Sequence, residues 1–149
     1  MSTRKQTVLI AEDDKRIAAA LTVRLEAAGY KTVTTPDGFR SFMTAVSGRP
    51  DLILMDVFMP IASGFSVAEE LRKADLADIP IIIVTASKKK SVREQAAEIG
   101  AAAFFEKPFD AERLLAAIAR ALNRRTSRRN AATAAPGNRV ANFENGKKN

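Results

Sequence analysis

The chain has 149 residues, with 24 Lys+Arg against 17 Asp+Glu and no His, Cys or Trp. That length suits one domain able to bury close to ~70% of its unfolded surface, so no disulfide or metal staple is required. Without Cys there is no disulfide framework, thiolate nucleophile or Cys-based zinc site, and without His there is no Ser-His-Asp or Cys-His catalysis and no phosphohistidine.

Residues 1–6 read as a polar N-terminal extension. Thr7–Ala11 is rich in strand formers. Asp13 and Asp14 then open a helix in which Ile17, Ala20, Leu21, Arg24, Leu25 and Ala28 recur at helical spacing, with Gly29 as its cap. Lys31–Thr34 reads as a second strand. Asp37–Ser47 reads as a helix with Phe39, Phe42, Met43 and Val46 inward. Asp51–Met55 is a third strand, followed by a loop with Pro60 and Gly64, then a helix over Phe65–Ala74. Pro80–Val84 is a continuous apolar run of the kind buried on both faces. Ser87–Ile99 reads as a helix opened by Lys88-Lys89-Lys90, whose charge opposes the helix dipole. That run is either a solvated surface or a patch that steers a partner or phosphate. Ala102–Phe105 is the fifth strand. Asp110–Leu122 is the fifth helix, with Leu114, Leu115, Ile118 and Leu122 as its stripe.

Strict βα alternation implies a parallel sheet covered on both faces, and right-handed crossovers make it a doubly wound open sheet. The globular part, residues 7–122, is expected to be nearly neutral. Residues 1–122 hold 17 basic and 16 acidic residues, whereas residues 123–149 hold seven basic and one acidic. This last stretch has no Leu or Ile and six Asn, so it reads as a disordered basic tail with a reach of about 30 Å. No apolar run nears the ~20 residues of a membrane span, and Met1–Thr7 carries no leader signal. The expectation is a cytoplasmic protein without membrane contact.

In an open α/β sheet the ligand crevice lies outside the carboxyl ends of the strands. There this sequence places Glu12, Asp13 and Asp14 after the first strand and Asp56 after the third. Thr85, Ala86 and Ser87 follow the fourth, and Lys107 and Pro108 the fifth. Crowded carboxylates repel one another and favour a hard cation, and Mg²⁺ suits oxygen ligands best. A carboxylate beside such an ion can act as a nucleophile and form an aspartyl phosphate, with Lys107 and the metal neutralising phosphoryl charge. Asp14 is assigned to helix capping.

The segments VLIAEDD (8–14), DLILMDVFMPIASG (51–64), IIIVTAS (81–87) and FFEKPF (104–109) resemble the receiver domain of bacterial two-component response regulators. The resemblance spans about residues 7–122. It implies a flavodoxin-like five-stranded sheet in the order 2-1-3-4-5 with five helices. It makes Asp56 the phosphoacceptor. Glu12, Asp13, Asp56 and the backbone carbonyl of Phe58 would hold Mg²⁺, for which Mn²⁺ could substitute. Thr85 is then the switch hydroxyl, Lys107 the phosphate-pairing lysine, Phe104 the aromatic switch residue and Pro108 a cis-proline. Phe58 and Ser87 occupy the positions that tune the lifetime of the phosphorylated state. The implied partners are a sensor histidine kinase or histidine phosphotransfer protein, and an unknown downstream protein bound through the face of the fourth helix, fifth strand and fifth helix.

The expected function is a single-domain phosphoacceptor switch and not a multiple-turnover enzyme. A metal-dependent phosphohydrolase of similar fold would need a second Asp two residues after the nucleophile, where Phe58 stands. The tail reads either as a solvated linker or as a nucleic-acid effector, with contact weak and non-specific at most.

Overall fold

The structure, a computed structural model, describes residues 4–134. Five strands run β1 (Thr7–Ala11), β2 (Lys31–Thr35), β3 (Leu52–Met55), β4 (Ile81–Thr85) and β5 (Ala103–Glu106). They alternate with α1 (Lys15–Ala27), α2 (Gly38–Gly48), α3 (Gly64–Lys73), α4 (Lys90–Glu98) and α5 (Ala111–Ala134). All strands are parallel in the expected order β2-β1-β3-β4-β5.

Strand side chains alternate between faces, so each inner strand feeds two cores. Val8, Ile10, Leu52, Leu54, Ile82 and Val84 point to one side, where α1 and α5 add Leu21, Leu25, Leu114 and Ile118. Leu9, Ala11, Ile53, Met55 and Ile83 point to the other, where α2, α3 and α4 add Ala45, Val67, Leu71 and Val92. Among the described residues no helix is long and apolar enough to cross a membrane. Asp14 caps α1 as expected, accepting from the Arg16 and Ile17 amides.

Three expectations are corrected. On α2 the buried residues are Gly38, Ser41 and Ala45; Phe42 packs partly buried against the core as expected, but Phe39, Met43 and Val46 are exposed. Small residues face inward because the helix lies too close to its neighbours for large ones. A Cβ on Gly38 would sit 2.1 Å from the Ala62 carbonyl oxygen, and the Ser41 hydroxyl donates to the Asp37 carbonyl. The helix after β4 starts at Lys90, not Ser87. Lys88 lies in the loop paired with Glu106, and Lys89 is the N-cap residue without a side-chain cap bond.

The third correction concerns the basic tail. Helix α5 runs on to Ala134, twelve residues past Leu122. Its Ala and Arg content favours helix, and one long-range anchor holds it to the body. The Arg125 guanidinium, with 12% of its side chain exposed, donates to the Asp51 backbone oxygen at 3.0 Å and to the Asp78 carboxylate at 3.1 Å. Asp51 also takes a two-pronged pair from Arg4 and the Thr7 amide at 2.8 Å. The N-terminal extension is thereby tied down at Arg4. The expected disorder of residues 135–149 lies outside the described residues.

Burial pushes the Asp51 carboxyl up, but Arg4, the Thr7 amide and Arg125 outweigh it and hold the group below its usual range. This contribution to stability is complete above the ordinary carboxylate range and is lost as pH falls through the lowered value. Asp51→Ala should cost about 2 kcal/mol at neutral pH, because it leaves the Thr7 amide without its acceptor and removes the carboxylate that Arg4 and Arg125 share. It should also flatten the acid limb of a stability–pH curve measured by urea unfolding.

Candidate functional site

The crevice forms where the connections from β1 and β3 leave in opposite directions, at the carboxyl edge of the sheet. Two neighbouring strands deliver carboxylates there. The Glu12 amide is held by the Thr35 carbonyl and the Asp56 amide by the Ala11 carbonyl, each at 3.0 Å, so both residues extend the sheet's own ladder. Lys107 follows β5 in the same way, its amide donating to the Thr85 carbonyl at 2.8 Å.

Lys107 then reaches across to the acids. Its ammonium donates to Glu12 Oε1 at 2.7 Å and to Asp56 Oδ2 at 3.0 Å. Both carboxylates are buried, with 5% and 8% exposure, while Asp13 stands exposed beside them. The second oxygen of Glu12 accepts from the Asp14 amide and Oδ1 of Asp56 accepts from the Phe58 amide. Carboxylate oxygens of Glu12, Asp13 and Asp56 lie within 4.8 Å of one another. Three hard oxygen donors at that spacing, one open to water, fit a hydrated Mg²⁺.

Desolvation raises the Glu12 pKa, opposed by Lys107 and the Asp14 amide. For Lys107, desolvation is outweighed by its bonds to Glu12 and Asp56, and the ammonium titrates above its usual value. The lysine therefore stays charged at neutral pH.

Thr85 is fully buried, and its hydroxyl accepts from the Ser87 amide at 3.3 Å. No described hydrogen bond joins that hydroxyl to Asp56 or Lys107. Ser87 in turn accepts from the Lys89 amide. Phe104 is partly buried against the core on the α3–α4 side. The Lys107–Pro108 bond is cis, as the resemblance implied. Phe58 is 58% exposed at the rim of the crevice.

Several features carry no signal in the sequence. The Arg93 guanidinium lies 4.6 Å from the Phe104 ring centroid and pairs with Glu106 at 3.0 Å, and Lys88 pairs with the same carboxylate. Spacing does not foretell this, since α4 and β5 meet only in the fold. Ile61 adopts φ 75°, which is rare for a β-branched residue. The Ala62 amide closes a tight turn on the Pro60 carbonyl around it at 2.8 Å. Gly64 opens α3 directly against the phosphoacceptor candidate. A Cβ there would meet the Asp56 carbonyl oxygen at 2.5 Å and Met55 Sδ at 2.9 Å.

A doubly wound sheet with buried acids on two adjacent strand ends and a lysine bridging them defines the receiver class of α/β domains. The chain belongs to the response regulator receiver domain family, which it matches over residues 8–119. It is 39% identical over 122 residues to the DNA-binding dual master transcriptional regulator RpaA of Synechocystis sp., covering 81% of this chain and 50% of that protein. It is 35% identical over 120 residues to the phosphate regulon transcriptional regulatory protein PhoB of Pseudomonas aeruginosa, covering 80% and 52%. The chain thus spans about half the length of these relatives. Among solved structures, the Francisella response regulator 1452 receiver domain superposes with a TM-score of 0.76 at 28% identity, covering 80% of this chain and 98% of that one. Vibrio cholerae chemotaxis protein CheY4 gives 0.73 at 28%, covering 79% and 99%.

Gly64→Ala should lower stability by about 2 kcal/mol through overpacking, read by urea unfolding. It should also displace Asp56, read as weaker paramagnetic broadening of neighbouring amide signals by Mn²⁺ titrated into the site.

Proposed function

We propose that Asp56 accepts a phosphoryl group and that the chain works as a switch in two-component signalling. The observation that carries this reading is the hold on the Asp56 carboxylate. One oxygen is fixed by the Phe58 amide and the other by Lys107, beside Glu12 and Asp13. An Asp56 oxygen attacks phosphorus while the bond to the donor breaks, and the donor's nitrogen or oxygen keeps the electron pair. With no His in the chain, the group arrives in trans from a sensor histidine kinase or a histidine phosphotransfer protein.

Glu12, Asp13, Asp56 and the Phe58 carbonyl would hold Mg²⁺ or Mn²⁺, which supplies charge neutralisation on the phosphoryl oxygens. Lys107 turns from Asp56 to the phosphoryl group, and the Thr85 hydroxyl leaves the Ser87 amide to donate to it. Phe104 follows Thr85, which loosens Arg93 and Glu106 and changes the α4–β5–α5 face toward a downstream protein. A 560 Å³ groove between α1 and α5, with Leu21 and Leu115 in its lining and Arg16 and Arg24 at its edge, adjoins Lys107 and supports donor docking beside Asp56. The setting is cytoplasmic. The chain is no multiple-turnover enzyme, since an apolar ring stands at position 58 where a phosphohydrolase needs a general acid.

Incubation of the protein with acetyl phosphate and Mg²⁺ should add one phosphoryl group by intact mass, and Asp56→Asn should abolish the gain. No gain in the wild type would refute the proposal.

Phe58 offers no side-chain hydrogen bond to orient an attacking water, and its ring stands at the mouth of the site. The phosphorylated state should therefore be long-lived. Phe58→Asn should speed loss of the phosphoryl group several-fold, followed by mass over time; equal or slower decay would sink the idea.

A further inference from the structure

At the end of the sheet opposite Asp56, α3, α4 and α5 enclose a groove of about 1220 Å³. One wall is the α5 extension. From Arg113 to Ala134 this helix holds six arginines and no acid. Arg120, Arg124 and Arg128 all line the groove and are exposed, with no described ion-pair partner. At four-residue intervals they form one stripe, with a step of about 6 Å. The acids of the groove do not neutralise them. Glu69 is paired with Arg72 and Asp78 with Arg125, which leaves Glu98 against three arginines.

From this we infer that the α5 stripe binds the phosphodiester backbone of duplex nucleic acid without reading its bases. Guanidinium forks match phosphate oxygens, and a rigid row of them meets a polyanion at low entropic cost. Arg125, clamped between Asp51 and Asp78, holds the row in place against the body.

A protein partner fits the face less well. Leu71, Leu76 and Ile79 at the groove are buried and no aromatic residue lines it, so it lacks the aromatic anchors that dominate protein interfaces, while Arg120, Arg124 and Arg128 are exposed. Described α5 has no aromatic residue on which unpaired bases could stack, and duplex carries the denser charge. The inference is independent of phosphorylation at Asp56.

The test is fluorescence anisotropy of a short labelled DNA duplex of arbitrary sequence, titrated with the full chain between about 50 and 200 mM salt. Binding should weaken steeply with salt and be the same for a second, unrelated duplex. Arg120→Ala/Arg124→Ala/Arg128→Ala should make the slope of log affinity against log salt shallower by roughly 2–3, at about 0.9 for each phosphate no longer neutralised. Alanine favours helix at such positions, and a far-UV spectrum checks that α5 persists. The corresponding triple Lys variant should keep the wild-type slope. No binding at low salt, an unchanged slope in the triple Ala variant, or equal affinity for poly-L-glutamate would overturn the inference. The last result would assign the face to an acidic protein.

Discussion

Lys107 places one ammonium between two buried carboxylates from different strands, 2.7 Å from Glu12 and 3.0 Å from Asp56. Without it, two desolvated acids would stand side by side at the carboxyl edge of β1 and β3, and removing one partner of such a cluster leaves uncompensated buried charge. The same bond draws the end of β5 across the crevice to the acids. Two strand ends meet along that route: the Thr85 carbonyl accepts from the Lys107 amide, and Glu106, the last residue of β5, immediately precedes the lysine. The one ammonium therefore couples the ends of β1, β3 and β5.

Much of this was legible in the sequence. Short runs such as LILM and IIIV, too short for a helix and flanked by Pro or Asp, read as buried strands. A polar or charged residue ending each run must then sit at the sheet's edge, so Glu12, Asp56, Thr85 and Lys107 fall on a common edge by pattern alone. What escaped were features decided by distance between elements. Periodicity found an apolar stripe on α2 but pointed it inward, because the pattern does not register how closely Gly38 and Ser41 approach their neighbours. Composition read Asn123 onward as too polar to order. Non-local salt bridges from Arg125 to Asp51 and Asp78 supplied the anchor that composition misses. The stacking of Arg93 on Phe104 likewise exists only once α4 lies beside β5.

The two charged ends of the molecule have opposite character. At the carboxyl edge buried acids surround the Lys107 ammonium, and at the amino edge Arg120, Arg124 and Arg128 stand exposed along α5. Helix α5 begins beside Lys107 and Pro108 and continues past the amino edge, a length of about 36 Å. One rigid element therefore borders both ends, with Leu114, Ile118 and Leu122 seating it on the core between them.

Strand β3 is only four residues long, yet each end terminates in a buried aspartate with its own cationic partner: Asp51 with Arg4 and Arg125, Asp56 with Lys107. A strand slipped by one residue would turn its side chains to the wrong faces. Here it would also break ion pairs at both ends together. Register is thus enforced electrostatically from outside the sheet as well as sterically from within it. The central strand is a short strut with both ends fastened, and the carboxylate at its tip is located from the far end of the strand as well as by its own lysine.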